Sequence, residues 1–595
     1  MNKPHIAAAV LTAAGGACAN SAFAADAARN PLAFDAAAYT TLHVTLDGSP
    51  LEVRRYHVVY VAKPVKMAAV QPTRGGGPGG PGGPGGPAGA GGPGGPGGPA
   101  VGPAGGAARG GGGPLGAAAG NDPYAYQSMY IYVPQRAYNN ATTAIILQVN
   151  NGGWMASPAP DRIAEGGAFV STSDTDNTGA ALKAGYVVVS AGTRSRGIKA
   201  EDGSWTGKSP AVIVDAKAAV RYLRFNDAVM PGSADRIFIT GTSGGGGLSV
   251  AVAASGNSPD YFPYLKDIGA AGIDAAGRST VRDDVFGTVA YCPITDLGHA
   301  DIAYEWQFNA VRAAGNTTGG QYPEEMQQAS AALAAAYPAY VASLHLKRED
   351  GSPLTAAGLE EAIRAQIKRG TELGIQRGAT IPALGADFVL PDRGGSKTLK
   401  NDWLTVENGQ VRSIDYQKYL RFITNATALK VAPAFDATAS TGHKGVIGEN
   451  TLFGPTGVEY VNFAEYAWNH NEVKGDGTGQ DDTGKDWAAY TASGPGKALV
   501  QQIKMASPLD YLNSAADTAP YWYFRHGMVD RDTSFAVEVS LYYAVRNDPS
   551  VKDVNFQLAW LKPHSGNYDV QEAYAWVASV LAKAGEPAVD KGLKR

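Results

Sequence analysis

Ile237-Phe238-Ile239-Thr240-Gly241-Thr242-Ser243-Gly244-Gly245 is the stretch on which the fold turns. An apolar, β-branched run leads directly into G-x-S-x-G, and a helix-forming run, Leu248–Ala254, follows it. A serine at the tip of a strand–turn–helix unit is what a nucleophile elbow requires. The small residues around it allow a strained turn that lifts the hydroxyl. The following helix aims its first N–H groups at a developing oxyanion. A phosphate-binding loop fits less well, since no Lys follows as in a P-loop and no acidic residue stands where a ribose is read. Ser243 is the candidate nucleophile.

Outward from that turn, strands and helices alternate, which predicts a largely parallel sheet covered by helices. Ala144–Val149 and Tyr186–Ser190 are continuous apolar runs suited to buried parallel strands. Ala211–Phe225 carries helical spacing, and Thr288–Cys292 reads as the next strand. From about Asp296 to Ser507 helical stretches (Pro323–Leu344, Ala356–Glu372, Ile414–Ile423) mix with Gly-rich loops and show no strand rhythm. Strands return at Tyr521–Phe524 and Val554–Leu561. The predicted fold class is therefore α/β: an α/β-hydrolase sheet with a large, mainly helical lid insertion. The expected organisation is residues 25–295 and 508–595 as the two parts of the core, with 296–507 as the lid.

A nucleophilic Ser needs a His to take its proton and a carboxylate to orient that His, in the order Ser, acid, His in this fold. His564 is the last of nine histidines and closely follows the final strand. Asp530, in His526-Gly527-Met528-Val529-Asp530, follows the strand before it; Asp532 competes for the role and Asp296 comes third. His526 reads as a structural turn residue. Asn150-Asn151-Gly152-Gly153-Trp154 resembles a Gly-rich loop donating one N–H to the oxyanion, from Gly152 or Gly153, with Gly244 donating the other.

The 595 residues are 44% hydrophobic and 17% charged, with a net charge of −4, which suits a globular chain and gives nucleic acid no basic stripe. No apolar run beyond the N-terminus approaches the roughly 20 residues needed to span a membrane. Residues 1–24 read as a signal peptide, with Lys3, an apolar run from Ile6 to Ala14, and Ala22-Phe23-Ala24 at the cleavage site. Export to the periplasm or medium is expected; lipid attachment at Cys18 is the weaker rival, because no large apolar residue stands three places before it. Cys18 and Cys292 are the only cysteines, so the mature chain is expected to lack disulfides, with Cys292 a buried thiol. Residues 74–120 are almost wholly Gly, Pro and Ala, and read as a disordered insertion in a hairpin loop between Tyr56–Ala62 and Tyr126–Val133.

Six further stretches stand out: Ser209-Pro210-Ala211-Val212-Ile213-Val214-Asp215-Ala216-Lys217, Ala254-Ser255-Gly256-Asn257-Ser258-Pro259, Lys430-Val431-Ala432-Pro433-Ala434-Phe435-Asp436, Glu449-Asn450-Thr451-Leu452-Phe453-Gly454, Asp530-Arg531-Asp532-Thr533 and Pro563-His564-Ser565-Gly566. Together they resemble the bacterial (subtype B) tannases, the tannin acyl hydrolases. The resemblance implies a triad of Ser243, Asp530 and His564, and galloyl-binding groups at Lys430, Glu449 and Asp532. One ammonium and two carboxylates can hydrogen-bond three adjacent ring hydroxyls, and would be left unpaired by an acyl group lacking them. Two departures stand out: Gly244 and Gly247 occupy positions where the family often has Ala, and Thr441–Ile447 looks longer than usual. The implied activity is hydrolysis of galloyl esters and depsides to gallate through an acyl-enzyme, with no metal or cofactor. A feruloyl or other aromatic-acid esterase with the same triad is the alternative; a non-catalytic polyphenol- or glycan-binding surface protein is the rival of another class.

Overall fold

The computed structural model describes residues 30–72, 122–392, 395–438, 448–471 and 473–585. The expected signal peptide with Cys18, the Gly/Pro-rich segment 74–120 and Thr441–Ile447 lie outside the described residues. The strands are β1 Thr40–Leu46, β2 Ser49–Val59, β3 Ser128–Pro134, β4 Ile145–Gln148, β5 Ala168–Phe169, β6 Val187–Ala191, β7 Ile237–Thr242, β8 Gly287–Tyr291, β9 Asp387–Asp392, β10 Gly395–Lys400, β11 Leu404–Glu407, β12 Gln410–Ile414, β13 Tyr521–Gly527 and β14 Asp553–Ala559.

Ten of these form one sheet in the order β14-β13-β8-β7-β4-β6-β3-β2-β1-β5. From β14 to β6 every pairing is parallel, whereas β6–β3, β3–β2 and β2–β1 are antiparallel. β4 (IILQ) and β6 (VVVSA) are buried at every position, because helices cover both faces of a parallel sheet. Alternation divides them: Ile145, Leu147, Val187, Val189, Ile237 and Ile239 pack with helices Ala211–Phe225 and Gly244–Ala254. Ile146, Val188, Phe238 and Val289 face the other way, where Leu182 and Trp576 cover them from helices Asn177–Ala184 and Val570–Gly585.

The flanks of the Gly/Pro-rich segment are antiparallel neighbours, Val59 opposite Ser128, as a hairpin interrupted by an insertion requires. Among the described residues, the long stretch between β8 and β13 adds no strand to the large sheet. Helices Glu324–Ser343, Ala356–Gln376 and Tyr416–Ala426 lie close to their expected bounds. Two hairpins, β9–β10 and β11–β12, were not foreseen there; the second is short and turns at Asn408-Gly409, both at positive φ. Among the described residues no helix is long and apolar enough to cross a membrane.

Several residues shared with the tannase pattern are structural. Asp215 is fully buried and pairs with the Arg194 guanidinium at 2.8 Å while accepting from Gln127 at 2.9 Å. Lys217 and Arg221, one helical turn apart, converge on Asp283 at 2.8 and 3.1 Å, with all three side chains buried. Asn257 closes the network, its N–H donating to Asp283 at 2.8 Å and its side chain accepting from the Asp283 N–H at 2.7 Å. Removing the anion from two buried cations is costly. Asp283→Ala is expected to lower unfolding stability by about 3–5 kcal/mol, measured by denaturant titration.

Candidate active site

Ser243 stands where β7 meets the helix Gly244–Ala254, with φ 60° and ψ −124°. The strain is contained by neighbours: its N–H donates to Tyr291 O at 2.9 Å and its C=O accepts from Ile294 N at 3.2 Å. Gly244 and Gly247 are explained by close approach. A side chain at Gly244 would collide with Trp154 N and Asn151 O, and one at Gly247 with Ile294 O and the Trp154 ring. The loop carrying Gly152 and Gly153 is thus pressed onto the first turn after the nucleophile. Trp154 anchors it, its Nε1 donating to Ile294 O at 3.1 Å and its C=O accepting from Ser195 Oγ at 2.6 Å.

His564 Nε2 lies 2.9 Å from Ser243 Oγ, and Nδ1 lies 2.7 Å from Asp530 Oδ2. The loops after the neighbouring strands β13 and β14 make this alignment: Met528 N donates to Ala559 O at 2.9 Å and Val529 N to Lys562 O at 3.0 Å. Asp530 is fully buried and its other oxygen accepts from Asp532 N at 2.7 Å. Burial alone would raise the Asp530 pKa, but the charges of His564 and His526 hold it below the usual carboxylate range. Burial opposes charge on His564, and the Asp530 carboxylate outweighs it, lifting the imidazole well above its ordinary pKa. The carboxylate therefore stabilises the imidazolium that forms when a serine proton is taken.

Asp296, the third candidate acid, is engaged elsewhere, at 2.9 Å from His299 Nδ1 and 2.5 Å from the Tyr340 hydroxyl. Cys292 is a buried free thiol, 3.2 Å from the Tyr568 hydroxyl. His526 lies within β13 rather than in the turn after it, and is fully buried beside Asp530.

Asp532 borders the triad, with Oδ2 4.0 Å from His564 Nδ1 and Oδ1 accepting from Arg531 at 2.5 Å. Glu449 lies 3.9 Å from Arg196, whose Nε donates to Gly153 O at 2.7 Å. Lys430 has its ammonium 4.1 Å above the Phe435 ring. Its N–H donates to the Tyr304 hydroxyl at 3.1 Å, which in turn donates to Arg531 O at 2.8 Å.

Buried carboxylates hold these loops. Asp301 accepts from the N–H groups of Ala434, Phe435 and Asp436 at 2.6, 2.7 and 3.0 Å. Burial pushes its pKa up to about 6 even though those N–H groups pull it down. Asp436 accepts from Asn450 and Asn462 side chains and from Phe463 and Ala464 N–H groups, joining the Lys430 and Glu449 segments. Sequence reasoning missed Arg196, Asp301 and Tyr304. For Asp301 there was a signal, a carboxylate sharing a helix face with apolar Leu297 and Tyr304. Arg196 offered none.

If close contact between the Asn151–Trp154 loop and Gly244 sets the geometry around Ser243, Gly244→Ala should displace that loop. Turnover is expected to fall on the order of 10²-fold, with unchanged circular dichroism showing that the fold is kept.

Comparison with known proteins bears on the fold and the class of reaction. The family model described as BD-FAE, an α/β-hydrolase family, matches residues 129–339. No curated protein matches the chain. Among solved structures, a tannin acyl hydrolase in complex with ethyl gallate is 28% identical with a TM-score of 0.67, covering 93% of this chain and 99% of its own. The native tannin acyl hydrolase from Lactobacillus plantarum gives the same values. The tannase of Fusobacterium nucleatum is 26% identical at a TM-score of 0.66, covering 92% of this chain and 99% of its own. The chain is accordingly an ester hydrolase of the α/β-hydrolase class, and over nearly its whole length it resembles the bacterial tannases.

Proposed function

We propose that this chain hydrolyses galloyl esters and depsides of tannins, releasing gallate, and that it does so after export from the cytoplasm. The observation that carries the reading is the chain of contacts Ser243–His564–Asp530, at 2.9 and 2.7 Å, with the partly exposed Asp532 carboxylate 4.0 Å from the same imidazole. A carboxylate beside the catalytic imidazole that is not the triad acid is poised to accept from a substrate hydroxyl.

In this mechanism His564 takes the Ser243 proton as the hydroxyl oxygen attacks the ester carbonyl. N–H groups of Gly244 and of Gly152 or Gly153 hold the oxyanion, and Asp530 orients and stabilises the imidazolium. Collapse expels the alcohol, which takes the proton from His564. Water, deprotonated by His564, then attacks the acyl-enzyme and frees gallate and Ser243. Lys430, Glu449 and Asp532 hold the three ring hydroxyls, and residues 296–507 form the lid that carries the first two. Arg196 sets the Glu449 carboxylate against the oxyanion loop through Gly153. The reading calls on no metal or cofactor.

Purified protein is expected to cleave methyl gallate roughly 10⁴-fold faster than methyl benzoate, and Ser243→Ala to lose roughly 10⁴-fold or more in kcat. Asp532→Asn should reduce kcat/KM for methyl gallate about 10- to 100-fold while leaving methyl benzoate untouched. Comparable cleavage of gallate and benzoate, or a preference for methyl ferulate, would keep the serine esterase and discard the galloyl assignment. Activity surviving in Ser243→Ala would discard the mechanism.

A further inference from the structure

Behind the triad acid lies a second pair of titratable groups that the mechanism leaves unused. His526, at the end of β13, and Glu538, in helix Phe535–Asn547, are both fully buried. His526 Nδ1 is 3.6 Å from Asp530 Oδ2 and 3.5 Å from Glu538 Oε1. Neither ring nitrogen of His526 and neither oxygen of Glu538 has a hydrogen-bond partner among the described residues. Two carboxylates in a dry interior need a cation between them, because an unpaired buried charge is among the most costly groups a fold can hold. The imidazole is the group so placed.

We propose that His526 is a positioning residue for the triad, an imidazolium clamped between Glu538 and Asp530 that offsets the Asp530 charge and so limits how strongly Asp530 holds a proton on His564. The proposal rests on the triad of the proposed function and not on its substrate. Asp530 alone drives His564 toward the protonated form, which cannot accept the Ser243 proton. A second cation on the far side of Asp530 opposes that drive, while the imidazolium still forms in the transition state. Burial alone would lower the His526 pKa, but the Asp530 charge, with Cys292 and Glu538, lifts it well above the ordinary value. Burial holds the Glu538 carboxyl above its ordinary pKa, with His526 pulling against it.

The surroundings leave few other groups to do this. From the end of β8 the Cys292 thiol faces His526 and Asp530, itself in contact with the Tyr568 hydroxyl at 3.2 Å. From helix Phe535–Asn547 come Glu538 and the Phe535 ring, edge-on at 5.2 Å. From the loop after β13 come Asp530 and, beyond it, Asp532, already paired with Arg531. From the loop after β14 comes His564 itself.

The test reads the basicity of His564 through Ser243 without any ester: the pH dependence of the rate at which a fluorophosphonate labels Ser243. A nearby cation disfavours protonation of His564, so its removal raises that pKa and moves the acid limb to higher pH. His526→Asn keeps an N–H near Nδ1 without the charge, and is expected to shift the acid limb upward by about one pH unit. Glu538→Gln leaves the cation with one anion fewer, and should shift the limb downward by roughly half a unit. Opposite shifts follow charge and not packing, since a purely structural pair would lower stability in both variants and leave the limbs in place. Limbs that stay put, or that move the same way, overturn the proposal. Should His526→Asn not fold, His526→Gln carries the same expectation. If wild-type protein is not labelled, or Ser243→Ala is labelled equally, it is the triad reading that fails.

Discussion

The backbone of Ser243 is the constraint around which the rest is arranged. A non-glycine residue at φ 60° and ψ −124° costs of order 1–3 kcal/mol, and persists only where its surroundings over-determine it. Here the strand before it is paired on both sides, by β4 and β8, and the helix after it packs against that same sheet. Its own amide groups are tied to Tyr291 and Ile294 at the end of β8. Gly244, Gly246 and Gly247 then follow from crowding, because the Asn151–Trp154 loop, the Tyr291 carbonyl with Pro293, and the Ile294 carbonyl occupy the space side chains would need. A strained elbow, a glycine-rich helix start and a pressed-in loop are three aspects of one packing solution.

Around that fixed point the substrate-facing segments are held by buried charge rather than by hydrophobic contact alone. Asp301 gathers three successive N–H groups of the Ala434–Asp436 turn, and Asp436 reaches on to Asn450, Asn462, Phe463 and Ala464. Each carboxylate substitutes for the regular hydrogen-bond ladder that irregular backbone lacks. Glu305 does similar work deeper in, fully buried against Arg312 and accepting from Ser330. Arg312 in turn donates to Lys430 O at 2.6 Å. Loops of this kind can be long and still well defined.

The core was the most legible part of the sequence. Continuous apolar runs are unambiguous when both faces of a strand are covered, so β4, β6, β7, β8 and β13 stood out, and β14 with them. The antiparallel margin was less clear: β1 alternates and is half exposed, so Thr40–Leu46 carries too few apolar residues to announce a strand. The hairpins β9–β10 and β11–β12 bury little beyond Phe388, Leu390, Leu404 and Val411, too brief a pattern to announce strands, and helices Ala356–Gln376 and Tyr416–Ala426 lie beside them. Ser243, Asp530 and His564 could be placed from strand context, because the fold dictates which strand ends meet. Arg196 could not, since its role depends on a loop path that no local pattern encodes, and Asp301 offered only its place among apolar residues on one helix face. His526 reads as a turn residue because it stands just before the acid, whereas β13 runs on through Gly527 and buries it.

The sheet order has a consequence for how the chain comes to be active. β13 and β14 join the sheet beside β8 only after the whole intervening stretch has been made, and Ser243 and His564 meet across 321 positions of sequence. Contacts so distant are the slowest to close, because the entropy of a long loop must be lost before any pairing rewards it. Until the last two strands dock, the elbow, its helix and the oxyanion loop can stand nearly complete while the base and the acid are missing. Chemistry is thereby withheld from every partly synthesised or partly folded form, and its onset marks the moment the sheet is finished.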